Sequence, residues 1–102
     1  MSDQDIENEI KRKGLTAPRI TPEDIEDKIR NEEFIVQPAG TTLVICILTL
    51  QNGYTVTGES ACASPENFDQ ELGMKVARKN AAAKIWTLEG YLLKEKLFFG
   101  EM

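Results

Sequence analysis

The sequence predicts an α+β fold: an antiparallel β-hairpin or small sheet packed on a long C-terminal helix or helix pair, with a short N-terminal helix. Three observations predict it. Thr21-Pro22-Glu23-Asp24 is a helix start, the β-branched run Thr41–Leu50 leads into Asn52-Gly53, and residues 64–99 read as helix. A capping side chain followed by proline at the first helical position is the ordinary N-terminal signal, because proline's missing N–H has no intrahelical partner there.

In the first helix Thr21 caps, Pro22 takes the first position and Asp24 completes a capping box. Ile25 and Ile29 then supply one apolar edge, which places the helix over about 22–32. Phe34, Ile35 and Val36 make a short extended piece ended by Pro38 and Gly40. The strand Thr41–Leu50 is apolar on both faces, and Tyr54–Gly58 alternates on the return. Asn-Gly between them predicts a type I′ turn, which needs positive φ at both central residues. The sheet then needs the long helix on one face and invites a neighbouring subunit on the other.

Ser64-Pro65-Glu66 opens the long helix in the same way, and no proline follows. At about 100° per residue, Met74, Ala77, Ala81, Ile85, Leu88, Leu92 and Phe99 share one face. Phe68, Leu72, Val76, Ala83, Trp86, Leu93 and Leu97 lie nearly opposite. Two apolar stripes need two packing partners, which points to self-association through the helix. The other reading is two shorter helices broken at Gly73 or Gly90. Residues 1–20 read as a flexible or weakly helical segment, with Ile6 and Ile10 on one side and a linker over Gly14–Ile20; residues 21–102 read as one domain.

The charge distribution narrows the function. The formal net charge is −5, from 12 basic and 17 acidic residues. An acidic balance argues against non-specific DNA or RNA binding, which needs a basic footprint. Yet Lys75, Arg78, Lys79 and Lys84 follow one another with no acid between them, as a solvated face or as a patch for a small anion. No apolar run approaches a membrane span and no charged-then-apolar leader is present, so neither membrane insertion nor secretion is expected. The two cysteines, Cys46 and Cys62, form no zinc set. There is no histidine, no nucleophile–base pair and no phosphate-binding glycine loop, so the chain reads as a non-enzyme that needs no cofactor or metal. Phe68, Trp86, Tyr54 and Tyr91 are planar groups able to stack on a base, although core packing is the plainer role for Phe68 and Trp86. Asn67, Asn80, Thr55 and Thr57 can read heteroatoms, and Asn80 stands out because asparagine is a poor mid-helix residue.

Leu48-Thr49-Leu50, Asn52-Gly53, Gly58-Glu59-Ser60-Ala61-Cys62, Pro65 to Asp69, Asn80-Ala81 and Lys84 through Leu93 together resemble the small phage proteins of the phage N4 gene 49 and phage Sf6 gene 66 family. The resemblance covers roughly residues 21–97. That family looks to include an anti-defence sponge acting against Thoeris immunity. The resemblance implies hairpins packed on long helices, homodimers that associate further into hexamers, and sequestration without cleavage of cyclic ADP-ribose isomers or cyclic oligonucleotides in the host cytoplasm. It also implies a pocket lined by aromatics and arginines, with Phe68 as the position carried over from the shared Pro-Glu-Asn-Phe-Asp segment. The arginine expected near the end of the long helix is a lysine here (Lys94 or Lys96) or is missing, and lysine offers a point charge in place of a planar fork. The candidate ligand residues are therefore Phe68, Asn67, Asp69, Arg78, Asn80, Lys84, Arg19, Arg30 and Lys96, with the site expected where the long helix begins against the hairpin. A structural or host-protein-binding early phage protein with no small ligand is the alternative.

Overall fold

The structure is a computed structural model and describes residues 2–100. It is an α+β arrangement in the order α1 (Asp3–Arg12), α2 (Pro22–Lys28), β1 (Ile29–Val36), β2 (Leu43–Leu50), β3 (Thr55–Ala61) and α3 (Gln70–Phe98), with short 3-10 turns at Pro38–Gly40 and Pro65–Asn67. The strands form one antiparallel sheet in the order β1-β2-β3. The long helix lies across one face of that sheet, over β2 and β3.

The first helix start forms as expected: Thr21 Oγ1 accepts from the Asp24 N–H at 3.1 Å, and Asp24 Oδ2 accepts from the Thr21 N–H at 2.9 Å. The helix is shorter than the predicted 22–32, however, because residues 29–32 belong to β1. The reason lies twenty residues downstream. Gln51 closes the end of α2, its N–H donating to Lys28 O at 2.9 Å and its Nε2 to Asp27 O at 3.2 Å. The β2 ladder then takes the chain from Ile29 onward. The expected three-residue extended piece is thus an eight-residue strand.

The hairpin sits where Asn52-Gly53 predicts, but its turn is not type I′. Of the two, only Gly53 has positive φ, at 90°. The Gly53 N–H donates to Leu50 O at 2.9 Å and the Leu50 N–H to Tyr54 O at 2.8 Å. This is a three-residue loop ending on a left-handed glycine, the next most common hairpin solution. Asn52 supports it by accepting from the Tyr54 N–H at 2.9 Å through its side chain.

The long helix is single, unbroken at Gly73 or Gly90, but it starts five residues later than Ser64-Pro65 suggests, its cap at Asp69 and its first residue at Gln70. Proline at 65 opens only a 3-10 turn, and Ser64 makes no side-chain cap. Phe68 follows in an extended conformation, and Asp69 is the true cap, its Oδ1 accepting from the Leu72 N–H at 3.0 Å. At 29 residues the helix is about 43 Å long, longer than the sheet is wide. Its last three turns therefore leave Tyr91, Leu92, Leu97, Phe98 and Phe99 exposed.

The core lies between α3 and the inner sheet face. Val44, Cys46, Leu48 and Leu50 alternate inward from β2 and meet Ala77, Ala81 and Ile85 of α3, with Ile25 and Val56 completing the layer. Cys46 is a buried small hydrophobe, and burial pushes its thiol pKa up. The outer alternation of β2 (Leu43, Ile45, Ile47) is half-buried, beside the exposed Ile35 of β1. Gly58 lies on the inner face opposite Cys46, and there α3 sits on the strand itself: a Cβ at Gly58 would lie 2.2 Å from the Ala81 nitrogen and 2.3 Å from the Ala77 oxygen.

Neither contact atom is the end of a flexible side chain, so relief requires lifting the helix. Gly58→Ala is expected to destabilise the protein by about 3 kcal/mol or to prevent folding, the upper end of overpacking costs. Denaturant unfolding measures it, and stability within about 0.5 kcal/mol of wild type, the span of an ordinary surface substitution, would contradict this account of the helix–sheet contact.

Candidate functional site

The residues singled out from sequence fall into separate places. Asn67, Phe68 and Asp69 share a groove of about 180 Å³ at the junction of the hairpin and the start of α3, closed by Thr42 and Cys62 on one side and Leu72 and Val76 on the other. The 3-10 turn and the Asp69 cap hold Phe68 out of the helix, so its half-buried ring lines this groove. Two bonds fix the walls: Thr42 Oγ1 donates to Cys62 O at 2.6 Å, and Ser60 Oγ donates to Gly73 O at 2.8 Å. At the helix start the Asp69 carboxylate takes the Leu72 N–H and sets a negative charge where an anion site was expected. Among the described residues no lysine or arginine lines this groove.

The cations stand elsewhere on α3. A second groove, of about 360 Å³, lies between α3 and α2 and is lined by Lys75, Arg78, Lys79 and Trp86 together with Ile25 and Glu26. Arg78 is already engaged. Its Nη1 and Nη2 donate to the two Glu26 carboxylate oxygens at 3.2 and 3.0 Å, and its Nε donates to Glu32 at 2.7 Å. These acids raise its already high pKa further, the Glu26 hydrogen bonds most, against a lowering by burial. Lys75 pairs with Glu71 at 3.3 Å along the helix. Three of the four cations of the basic run, Lys75, Arg78 and Lys79, thus share the Trp86 groove, and Lys84 stands in a third groove beside β3.

Asn80 has local work: its Nδ2 donates to Glu59 O at 2.8 Å, tying α3 to the edge of the sheet. Arg30 is exposed on β1 and Lys96 is exposed in the last turn of α3, neither near the Phe68 groove. Arg19 is clamped to Glu7 of α1 by two hydrogen bonds, Nη1 to Oε1 and Nη2 to Oε2, the latter at 2.7 Å. Among the described residues Glu7 is the buried charged one, and Arg19 is half-buried. Sequence reading missed this pair and the Ser2–Asp5 capping box that starts α1. The box was readable as Ser-x-x-Asp, whereas the Glu7–Arg19 pair spans a loop and carries no local signal. Thr42, Ser60, Cys62, Leu72 and Val76 were missed as groove residues for the same reason.

Among the described residues no group of three or more His, Cys, Asp or Glu side chains is placed to hold a metal ion, and no helix is long and apolar enough to cross a membrane. The fold and its grooves define a small α+β protein with an aromatic-lined cleft between a hairpin and a long helix. Residues 20–97 match the Phage protein (N4 Gp49/phage Sf6 gene 66) family, and the chain belongs to that family. No curated protein and no solved structure matches it.

The Glu7–Arg19 pair makes the seating of α1 depend on pH. The Arg19 hydrogen bonds hold the Glu7 carboxyl below its ordinary 4.5, against the opposing effect of burial. A depressed carboxylate contributes fully above its unfolded pKa and loses that contribution as pH falls through the folded one. Amide protection in α1 should therefore be constant from neutral pH down to about 4.5 and decline below it. Glu7→Gln should show the reduced protection at every pH. Equal protection of α1 in the two proteins at pH 7 would contradict the clamp.

Proposed function

We propose that this phage protein is an anti-defence sponge: it binds a cyclic nucleotide immune signal, a cyclic ADP-ribose isomer or a cyclic oligonucleotide, and withholds it in the host cytoplasm without cleaving it. The observation that carries the reading is the placement of Phe68. Its ring is held outside the helix against an open groove with Asn67 and Asp69 beside it. Base stacking needs such a face, Asn67 supplies an amide for heteroatoms, and the Asp69 carboxylate suits ribose hydroxyls rather than phosphate.

Phosphates then require cations from outside this groove. A second copy is the source we favour, because the apolar end of α3 (Leu92, Phe99) continues the line of Ala81 and Ile85 beyond the sheet and is exposed in one copy. Homodimers built on that helix, and hexamers of them, would bring Arg30 or Lys96 of one protomer towards the groove of another. No turnover is expected, and the ligand is released intact.

A second reading rests on the same exposed helix end: an early phage protein that binds a host protein and takes no small ligand. Calorimetry with cyclic ADP-ribose isomers and cyclic di- and trinucleotides separates the two. Sequestration predicts binding tighter than about 10 µM for at least one of them, or roughly −7 kcal/mol. Phe68→Ala is expected to weaken it by about 1–3 kcal/mol, the cost of one stacked base. Absence of binding across the panel, or unchanged affinity in a folded Phe68→Ala protein, would favour the protein-partner reading.

A further inference from the structure

The two edges of the sheet are not alike. On β1 the ladder is interrupted by a register shift between Ile29 and Asn31, and the Glu32 side chain is held by Arg78. Bulges and edge charges of this kind are how proteins discourage a further strand. β3 has no proline, and its register on β2 runs without a shift from Thr55 to Ala61.

The hydrogen-bond phase of β3 follows from the hairpin. The Leu50 N–H donates to Tyr54 O, so Tyr54 is in a bonded pair. Alternation along an antiparallel ladder then turns Val56, Gly58 and Ser60 towards β2, and the backbone groups of Thr55, Thr57 and Glu59 towards the free edge. Asn80 confirms the phase, since its amide reaches the Glu59 carbonyl from outside the sheet. Among the described residues no side chain or backbone group takes the outward N–H and C=O of Thr55 and Thr57. Beside them runs a groove of about 560 Å³ between β3 and α3, walled by Tyr54, Thr87 and Leu88, with Lys84 as its charged residue.

We propose that this edge is a docking site for an extended segment of a partner polypeptide, which adds as a fourth strand along Thr55–Thr57 and presents an acidic side chain to Lys84. Charge complementarity sets the acid, because no carboxylate lines the groove. Strand addition gives affinity through backbone bonds and selectivity through alternate side chains. The β3 edge of a second copy does not fit. The helix lies directly on β3, as the Gly58 contacts show. Two strands paired at about 4.8 Å would force two helices well inside the 8–10 Å that packed helices need. The segment that docks is therefore one without a helix over it. This site is separate from the Phe68 groove and does not depend on a nucleotide binding there.

The test uses the full chain and a blocked eight-residue peptide of alternating Thr and Val with one central Glu, followed by amide exchange. With peptide in excess, exchange at Thr55 and Thr57 is expected to slow by about tenfold, while Val56 and Gly58, already bonded to β2, stay unchanged. The same peptide N-methylated at alternate nitrogens should give no protection. Thr57→Pro removes an outward donor without touching a bond to β2 and should abolish the effect. Should that variant not fold, Lys84→Glu serves instead, weakening the Glu peptide and favouring its Lys counterpart. Unchanged exchange, or equal protection by the methylated peptide, overturns the proposal. Resonance shifts at Thr55, Thr57 and Lys84 with inorganic phosphate or adenosine monophosphate but not with peptide would overturn it in favour of a small-anion site. Protection that rises with protein concentration alone would overturn it in favour of a second copy.

Discussion

The contact on which the rest of the protein depends is backbone on backbone: α3 lies against Gly58 of β3 with no side chain between them. Such an approach requires glycine in the strand and small residues on the helix, and Ala77 and Ala81 are there, both fully buried. With the helix axis held so low, Val44, Cys46, Leu48 and Ile85 close a thin core, and the aromatic residues Phe34, Phe68 and Trp86 pack at its margins. The low seat also puts Asn80 and Gly73 within reach of the strand, so Glu59 O and Ser60 Oγ each find a partner across the gap. These two polar bonds, made by the two residues that follow the glycine, fix the helix along its own axis as well as above the sheet.

That placement decides where charge is available. Rotated by this seat, α3 turns Arg78 towards α2 and β1, where Glu26 and Glu32 bind its guanidinium. A run of four cations that looks concentrated in sequence is divided between two grooves: Lys75, Arg78 and Lys79 line the one beside Trp86, where Glu26 and Glu32 hold Arg78, and Lys84 stands at the β3 edge. The Phe68 groove, by contrast, is aromatic and acidic. At the Phe68 groove a single protomer therefore offers a stacking face without phosphate counter-charge, and this is the physical ground for proposing that a nucleotide site there draws on more than one copy. The same asymmetry separates the two sheet edges, one guarded by the Arg78 clamp and the other left with Lys84 alone.

Much of this was legible wherever the signal is local. The Thr21 box, the position of the hairpin and the helical character of the C-terminal third follow from residues within a few positions of one another, whereas Gly73 and Gly90 leave one helix or two open. Asn67, Phe68 and Asp69 could be grouped because they are consecutive. What escaped depends on distant partners. Arg30–Glu33 are poor strand residues, and β1 exists because β2 supplies its ladder and Gln51 stops α2. Ser64-Pro65 carries the composition of a helix start, yet the chain must first bring Phe68 to the hairpin, and Asp69 caps once it has done so. The hairpin turn was placed correctly but given the wrong geometry, since Asn52 uses its side chain on the Tyr54 N–H instead of adopting positive φ. Arg78 and Asn80 were singled out as ligand groups because their unusual setting in the helix was visible, while the carboxylates and the carbonyl they bind lie 21 to 52 residues away.

The central claim is that the chain assembles through α3 and holds a cyclic nucleotide intact. Native mass spectrometry of the gently purified protein, expressed in cells producing such a signal, reads both halves at once. The account predicts an even-numbered assembly carrying excess mass that, on denaturation, is recovered as an unhydrolysed cyclic nucleotide. A bare monomer under conditions that preserve other weak complexes, or an adduct recovered as a linear product, would contradict it.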